Sequence, residues 1–377
     1  MRRLAIATLT AALALGLAAC GSKTPDPGPS GPSGLTGDGT LGEGPSGGVT
    51  PTASSTPPAA TPTGPSLPPP SSKKPNKAGY VWVSNATATH TASTAYQYNS
   101  AGGAINIAHN AVGRYTVYFN GLATQGGVAH AQAYGYNANY CAIGSWYPTD
   151  DVQNVEVNCF APDGSPADTT FVASFAEGSQ GNSRFAYLWA DQPTAAAAYK
   201  PSADYRYDSV DQNLITVKRT ATGRFEAYLP TAGNFGGTPW TFQVTAYNSN
   251  NLCKLTSFAN RKAQIACRTP GGALVNSQFS LTFASGASIV GRTDRPFNAF
   301  SEDSDGLENP GAGVYTVRAP DLGQAKGQVV VVARGTSSTY CHIRNWTTAG
   351  SDMAATIVCF NPGGAPAASS FELAVTL

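Results

Sequence analysis

"YCAIGSWYPTDDVQNVEVNCF" runs from Tyr140 to Phe160, and "YCHIRNWTTAGSDMAATIVCF" runs from Tyr340 to Phe360. Between them "LCKLTSFANRKAQIACR", Leu252 to Arg268, repeats the plan in looser form. Each stretch carries one cysteine near either end and turn-forming residues in the middle. If the two cysteines face each other across a hairpin, the turns fall near Asp150, Asn260 and Gly350, all in turn-like text. The same register pairs Ile143 with Val157, Leu255 with Ile265, and Ile343 with Ile357, each pair on the cysteine face as a cross-strand ladder requires. One register that serves three hairpins predicts three disulfides, Cys141–Cys159, Cys253–Cys267 and Cys341–Cys359.

The rest of the chain repeats with the hairpins. "GRYTVYF" at Gly113 reappears as "GRFEAYL" at Gly223 and "GVYTVRA" at Gly313, and the units close with "FVASF", "FSLTF" and "FELAV". "YVWV" at Tyr80 matches "YLWA" at Tyr187. Apolar and polar residues alternate in short runs, so that Tyr115, Val117 and Phe119 share one face of a strand and Arg114, Thr116 and Tyr118 the other. The reading is all-β: three tandem antiparallel β-sandwich (Ig-like) repeats over 79–178, 184–286 and a shortened 287–377.

Composition narrows the function classes. Charged residues make up 12% of the chain and the formal net charge is +1. No basic cluster is present, so a nucleic-acid partner is not expected. No second long apolar run follows the N-terminus, which excludes a multi-span helical membrane protein.

The N-terminus has a different character. Arg2 and Arg3 precede the apolar stretch Leu4 to Ala19, which ends in "LAAC", Leu17 to Cys20. This resembles the lipobox of bacterial lipoproteins. The resemblance implies that 1–19 is a signal peptide, that the Cys20 thiol is diacylglycerylated, and that the chain is held on the extracytoplasmic face of the cell membrane. Two acyl chains anchor stably, since each buried methylene contributes ~0.8 kcal/mol. Residues 20–78 are rich in Pro, Gly, Ser and Thr and read as a disordered linker. Such a segment spans roughly 45 Å as a coil and about 180 Å in polyproline II geometry. The six cysteines that remain after Cys20 suit the oxidising compartment that this route implies.

Catalytic signatures are few. His90, His109, His130 and His342 show no metal-ligand spacing, and His130, beside Gln132 on the polar side of its strand, reads as a surface residue. No nucleophile elbow, Ser-x-x-Lys, His-Glu-x-x-His or Walker loop occurs. No cofactor and no enzymatic activity are expected. "SEDSDGLE", Ser301 to Glu308, loosely resembles the start of a calcium loop through Asp303, Asp305 and Glu308, without its full spacing.

The remaining lead is aromatic. Trp146 and Trp346 lie five residues past their cysteines, with Phe258 at the matching place. Five is odd, so on a regular strand these rings point away from the cysteine face and are candidate contacts for a stacked sugar. The alternative is packing against a neighbouring unit.

The repeats also resemble secreted repeat proteins of high-GC Gram-positive, actinobacterial origin, a likeness that implies no activity. The expectation is therefore a membrane-anchored lipoprotein whose repeats bind cell-wall glycan or another envelope protein. Alternatives are a carbohydrate-active enzyme or its accessory subunit, and a structural envelope spacer. The spacer reading expects the outward aromatics to be packed between units.

Overall fold

The structure, a computed structural model, describes residues 76–178, 184–233, 240–285, 289–292, 307–319 and 327–376. The expected alternation of apolar and polar residues yields strands throughout. In the first unit they are β1 (Lys77–Val83), β2 (His90–Thr91), β3 (Gln97–Asn99), β4 (Ile105–Ala111), β5 (Arg114–Asn120), β6 (Val128–Ala133), β7 (Tyr140–Thr149), β8 (Val152–Phe160) and β9 (Phe171–Glu177). They make two antiparallel sheets, ordered β3-β1-β9-β6 and β2-β4-β5-β8-β7, around a core that includes Val81, Ile107, Val117, Phe119 and Phe175.

The second unit comprises β10 (Arg184–Ala190), β11 (Arg206–Asp208), β12 (Thr216–Ala221), β13 (Arg224–Tyr228), β14 (Trp240–Ala246), β15 (Leu252–Ala259), β16 (Lys262–Arg268) and β17 (Phe279–Ser285). Its sheets run β11-β10-β17-β14 and β12-β13-β16-β15. In the third unit stand β18 (Ile289–Arg292), β19 (Leu307–Gly311), β20 (Val314–Ala319), β21 (Gln328–Arg334), β22 (Tyr340–Ala349), β23 (Asp352–Phe360) and β24 (Ser370–Thr376). They are ordered β21-β24-β18 and β19-β20-β23-β22. Each unit is thus an antiparallel sandwich, as expected.

The glycine that opens "GRY" has a backbone role in every unit. Gly113, Gly223 and Gly313 adopt φ of 65°, 64° and 71° in the tight turns before β5, β13 and β20. Their carbonyls accept from the amides of Cys159, Cys267 and Cys359 at 2.7, 2.9 and 2.7 Å. A Cβ at Gly113 would lie 2.4 Å from the Cys159 carbonyl oxygen, so no other residue fits without displacement.

All three disulfides form within their hairpins, with Cys141 opposite Cys159, Cys253 opposite Cys267, and Cys341 opposite Cys359. The ladder partners Ile143–Val157, Leu255–Ile265 and Ile343–Ile357 also pair as read. Beyond them each outer strand carries one extra residue, Gly144, Thr256 or Arg344, where the register shifts. A bulge of one residue exchanges the two faces of everything that follows it. Trp146 consequently stands opposite Val155, on the same side as the cysteines, and Phe258 and Trp346 stand opposite Ala263 and Ala355. These aromatics therefore do not face outward, contrary to the expectation from an unbroken strand.

The three sandwiches close on one another in a ring. Tyr134, just past β6, bridges in parallel to Ile143's counterpart in the third unit, Ile343. Tyr247, just past β14, bridges to Ile143, and Arg334 of β21 bridges to Leu255. The next residue donates its amide each time: Gly135 to Ile343, Asn248 to Ile143 and Gly335 to Leu255, at 3.0, 2.7 and 3.1 Å. These donors have φ of 120°, 47° and 98°, a left-handed conformation that Gly and Asn tolerate best. First to third, third to second and second to first, the contact is the same contact. Its repetition makes a pseudo-threefold ring rather than a string of units.

Candidate functional site: seams and axial cavity

Two seams of the ring are aromatic boxes with the same composition. Trp146 of the first unit meets Trp189, Tyr205 and Tyr247 of the second, with ring centroids 5.8, 5.7 and 5.3 Å apart. Trp346 of the third unit meets Trp82, Tyr96 and Tyr134 of the first at 6.2, 6.3 and 5.2 Å. Nearly all of these contacts are edge-to-face, the favoured geometry for aromatic quadrupoles. Trp146 is only 5% exposed, and its indole N–H donates to the Gly126 carbonyl at 2.9 Å. Trp346 is half-buried. The expectation that Trp146 and Trp346 offer open faces to a ligand is therefore corrected: Trp146 is buried between units, and the partly exposed Trp346 packs its ring on Trp82, Tyr96 and Tyr134.

The third seam is built differently. Phe258 packs inside its own unit against Trp240, Phe242 and Phe283. Arg334 occupies the place of Tyr134 and Tyr247, with its Nε 3.7 Å from Oε1 of the fully buried Glu372. Glu372 Oε2 accepts from the amide of Phe242 across the seam at 2.9 Å.

The hairpins meet at one end of the pseudo-threefold axis. The turn at Gly164 lies against Pro270 and Asn250, that at Gly272 against Pro362 and Ser338, and that at Gly364 against Pro162 and Ala138. Beneath these turns Tyr140 donates to the Asn250 carbonyl at 2.7 Å, and Tyr340 makes the equivalent bond to Ala138. Tyr140 also packs on Phe160, Tyr340 on Phe360, and the two tyrosines on each other. The second unit breaks this pattern: Leu252 and Arg268 stand where the others have Tyr and Phe. Where the first and third units have Ala142 and His342, it has Lys254.

Lys254 is 6% exposed. Its ammonium donates to Ser337 Oγ at 3.1 Å, to the Thr339 carbonyl at 2.9 Å and to Thr339 Oγ1 at 3.4 Å, all in the third unit. Burial, with a smaller contribution from Arg268, lowers its pKa to about 8. His342 reaches the Asn137 carbonyl of the first unit at 2.9 Å, and burial holds its imidazole down at about 4. Deeper along the axis His130 is not on the surface, as its strand position suggested. It is 3% exposed and bridges to Thr245 and Thr282 of the second unit at 2.9 and 2.8 Å. With only hydroxyl partners, its pKa falls to about 3 through burial.

Lys254 and His342, though not His130, line a cavity of about 70 Å³ bounded by all three units, together with Gln132, Thr245, Arg268 and Ser338. A water needs about 10–15 Å³ measured this way, so roughly five fit. Among the described residues no acidic side chain lines it.

Cys20, Asp303 and Asp305 lie outside the described residues, as do residues 1–75 of the signal and linker; Glu308 falls on β19. Among the described residues no group of three or more His, Cys, Asp or Glu could hold a metal ion. The axial residues escaped the sequence reading, although aligning the units offers the signal: Lys254 and Arg268 fall where the sister units carry Ala, His or Phe. No protein-family model, no curated protein and no solved structure matches this chain, so the geometry above carries the functional argument.

Proposed function

We propose that this chain is an extracytoplasmic lipoprotein, anchored through Cys20 and held off the membrane by residues 20–78, whose three repeats act together as one rigid head that binds another envelope component. The observation that carries the reading is the closed ring. Units locked by the same backbone bridge at every seam cannot swivel separately, so the head offers one fixed surface rather than three weak sites on a flexible string. Three hairpin disulfides support an oxidising compartment. Mass spectrometry of the N-terminal peptide tests the anchor: a diacylglyceryl adduct on Cys20 that disappears in Cys20→Ser is expected, and an unmodified mature cysteine refutes it. Retention of the full chain on purified cell walls and on detergent-solubilised envelope proteins tests the binding role.

A second reading, a structural spacer, draws support from Trp146 and Trp346 being packed between units. It expects no retention on either material, together with a changed envelope when the protein is deleted.

A further inference from the structure

In a pseudo-threefold body, equivalent positions face equivalent surroundings, and a break in the pattern marks a special demand. The axial cap has such a break in the second unit. Tyr140 with Phe160 and Tyr340 with Phe360 give way to Leu252 with Arg268. Lys254 joins Arg268 in lining the cavity, to which no described residue contributes a carboxylate. Among the described residues neither cation has an acidic partner within ion-pair distance; the pairs present are His109–Asp168, Lys262–Glu226 and Arg334–Glu372. Neutral oxygens alone hold the Lys254 ammonium. Arg268 donates to the carbonyls of Gly272 and Thr336, each at 2.7 Å, while its buried Nε meets no acceptor. Burying a charge is costly unless an opposite charge accompanies it. A buried ammonium and a partly exposed guanidinium whose Nε is enclosed and unpartnered, side by side at one cavity, therefore describe half of an ion pair.

We propose that the axial cavity binds a small oxyanion, the carboxylate, phosphate or sulfate group of a ligand, between Lys254 and Arg268 at the seam of the second and third units. Ser338 lines the same cavity and carries a hydroxyl able to donate to such a group. The inference does not depend on the lipid anchor or on the envelope partner. The cavity admits the anionic group itself, so a larger ligand would place that group inside and its remainder above the cap turns.

The test is isothermal titration calorimetry on the full chain in detergent at pH 6.5 and constant ionic strength, with sodium phosphate, sodium sulfate, sodium acetate and sodium chloride as probes. Saturable binding of one oxyanion per chain, without a matching chloride signal, is the expected result. Phosphate or sulfate binding alone assigns a phosphoryl or sulfuryl group, and acetate binding assigns a carboxylate. Lys254→Ala and Arg268→Phe install the residues that the first unit carries at these places, and each should weaken binding at least tenfold. No saturable binding by any oxyanion, or wild-type affinity in both variants, overturns the proposal. Should a variant fail to fold, a selenate soak of wild-type crystals decides: an anomalous peak beside Lys254 and Arg268 supports the site, and its absence there refutes it.

Discussion

Replacing Trp146 by alanine should destabilise the head strongly without touching any solvent-facing surface. The ring is 95% hidden, since Trp146 is 5% exposed, and it is boxed by Trp189, Tyr205 and Tyr247. A buried aromatic of ~150–250 Å² at ~25 cal/mol per Å² contributes roughly 4–6 kcal/mol, an upper figure because the unfolded chain already hides some of that area. Core truncations of this size cost about 3–5 kcal/mol. Loss of the bond to the Gly126 carbonyl adds about 1 kcal/mol. Trp146→Phe keeps most of the area and loses that bond, so it should cost only about 1–2 kcal/mol. Guanidinium unfolding followed by circular dichroism measures both variants. Native-state hydrogen exchange then locates the damage, with protection expected to fall first in β7 and β10, which flank the seam. A Trp146→Ala chain within about 0.5 kcal/mol of wild type would mean that the indole is a surface ring, and the packing argument would collapse.

Further outcomes follow from the same geometry. Because each unit is seamed to both others, the head should unfold in one cooperative transition, and three separable transitions by calorimetry would contradict ring closure. Removing the Cys253–Cys267 bridge by a double alanine substitution, which opens a span of 14 residues, should cost about 3 kcal/mol in the loop-entropy picture. Equal midpoints with and without reductant would refute that. Acid should loosen the axis: His130 and His342 stay neutral when folded, with pKa values of about 3 and 4 against 6.5 when unfolded. Folded pKa values below the unfolded one mean that this stability is complete above pH 6.5 and is lost as pH falls toward 4. The steepest slope is about 1.4 kcal/mol per pH unit for each imidazole. His130→Gln, which copies Gln243 of the second unit, should flatten that slope, and an unchanged slope would exonerate His130.

The hairpins and their disulfides were legible in the sequence because their pairing is local and because strand periodicity of two places Cys141, Ile143, Val157 and Cys159 on one face. The face of Trp146 was not, because a single unpaired residue at Gly144 reverses the parity and nothing in "AIGSW" announces a bulge more loudly than its glycine. His130 was misplaced for a related reason. A sandwich viewed alone has an outside, and the polar face of β6 looks solvated until the second unit supplies Thr245 and Thr282 to it. Ring closure turns that outside into an inside. Its signature was present as aromatic repetition: Trp82 and Trp189, Tyr96 and Tyr205, Tyr134 and Tyr247 recur because each set must receive a tryptophan from the preceding unit. At the matching place the second unit carries Phe258, which packs within its own unit. The third unit sets Arg334 and Glu372 where the first has Tyr134 and Val172 and the second has Tyr247 and Ser280. Where three copies agree, the residues are making the ring. Where one copy departs, as at Leu252 and Arg268, packing alone would have kept the aromatic pair, and the departure, next to Lys254, points to chemistry on the axis.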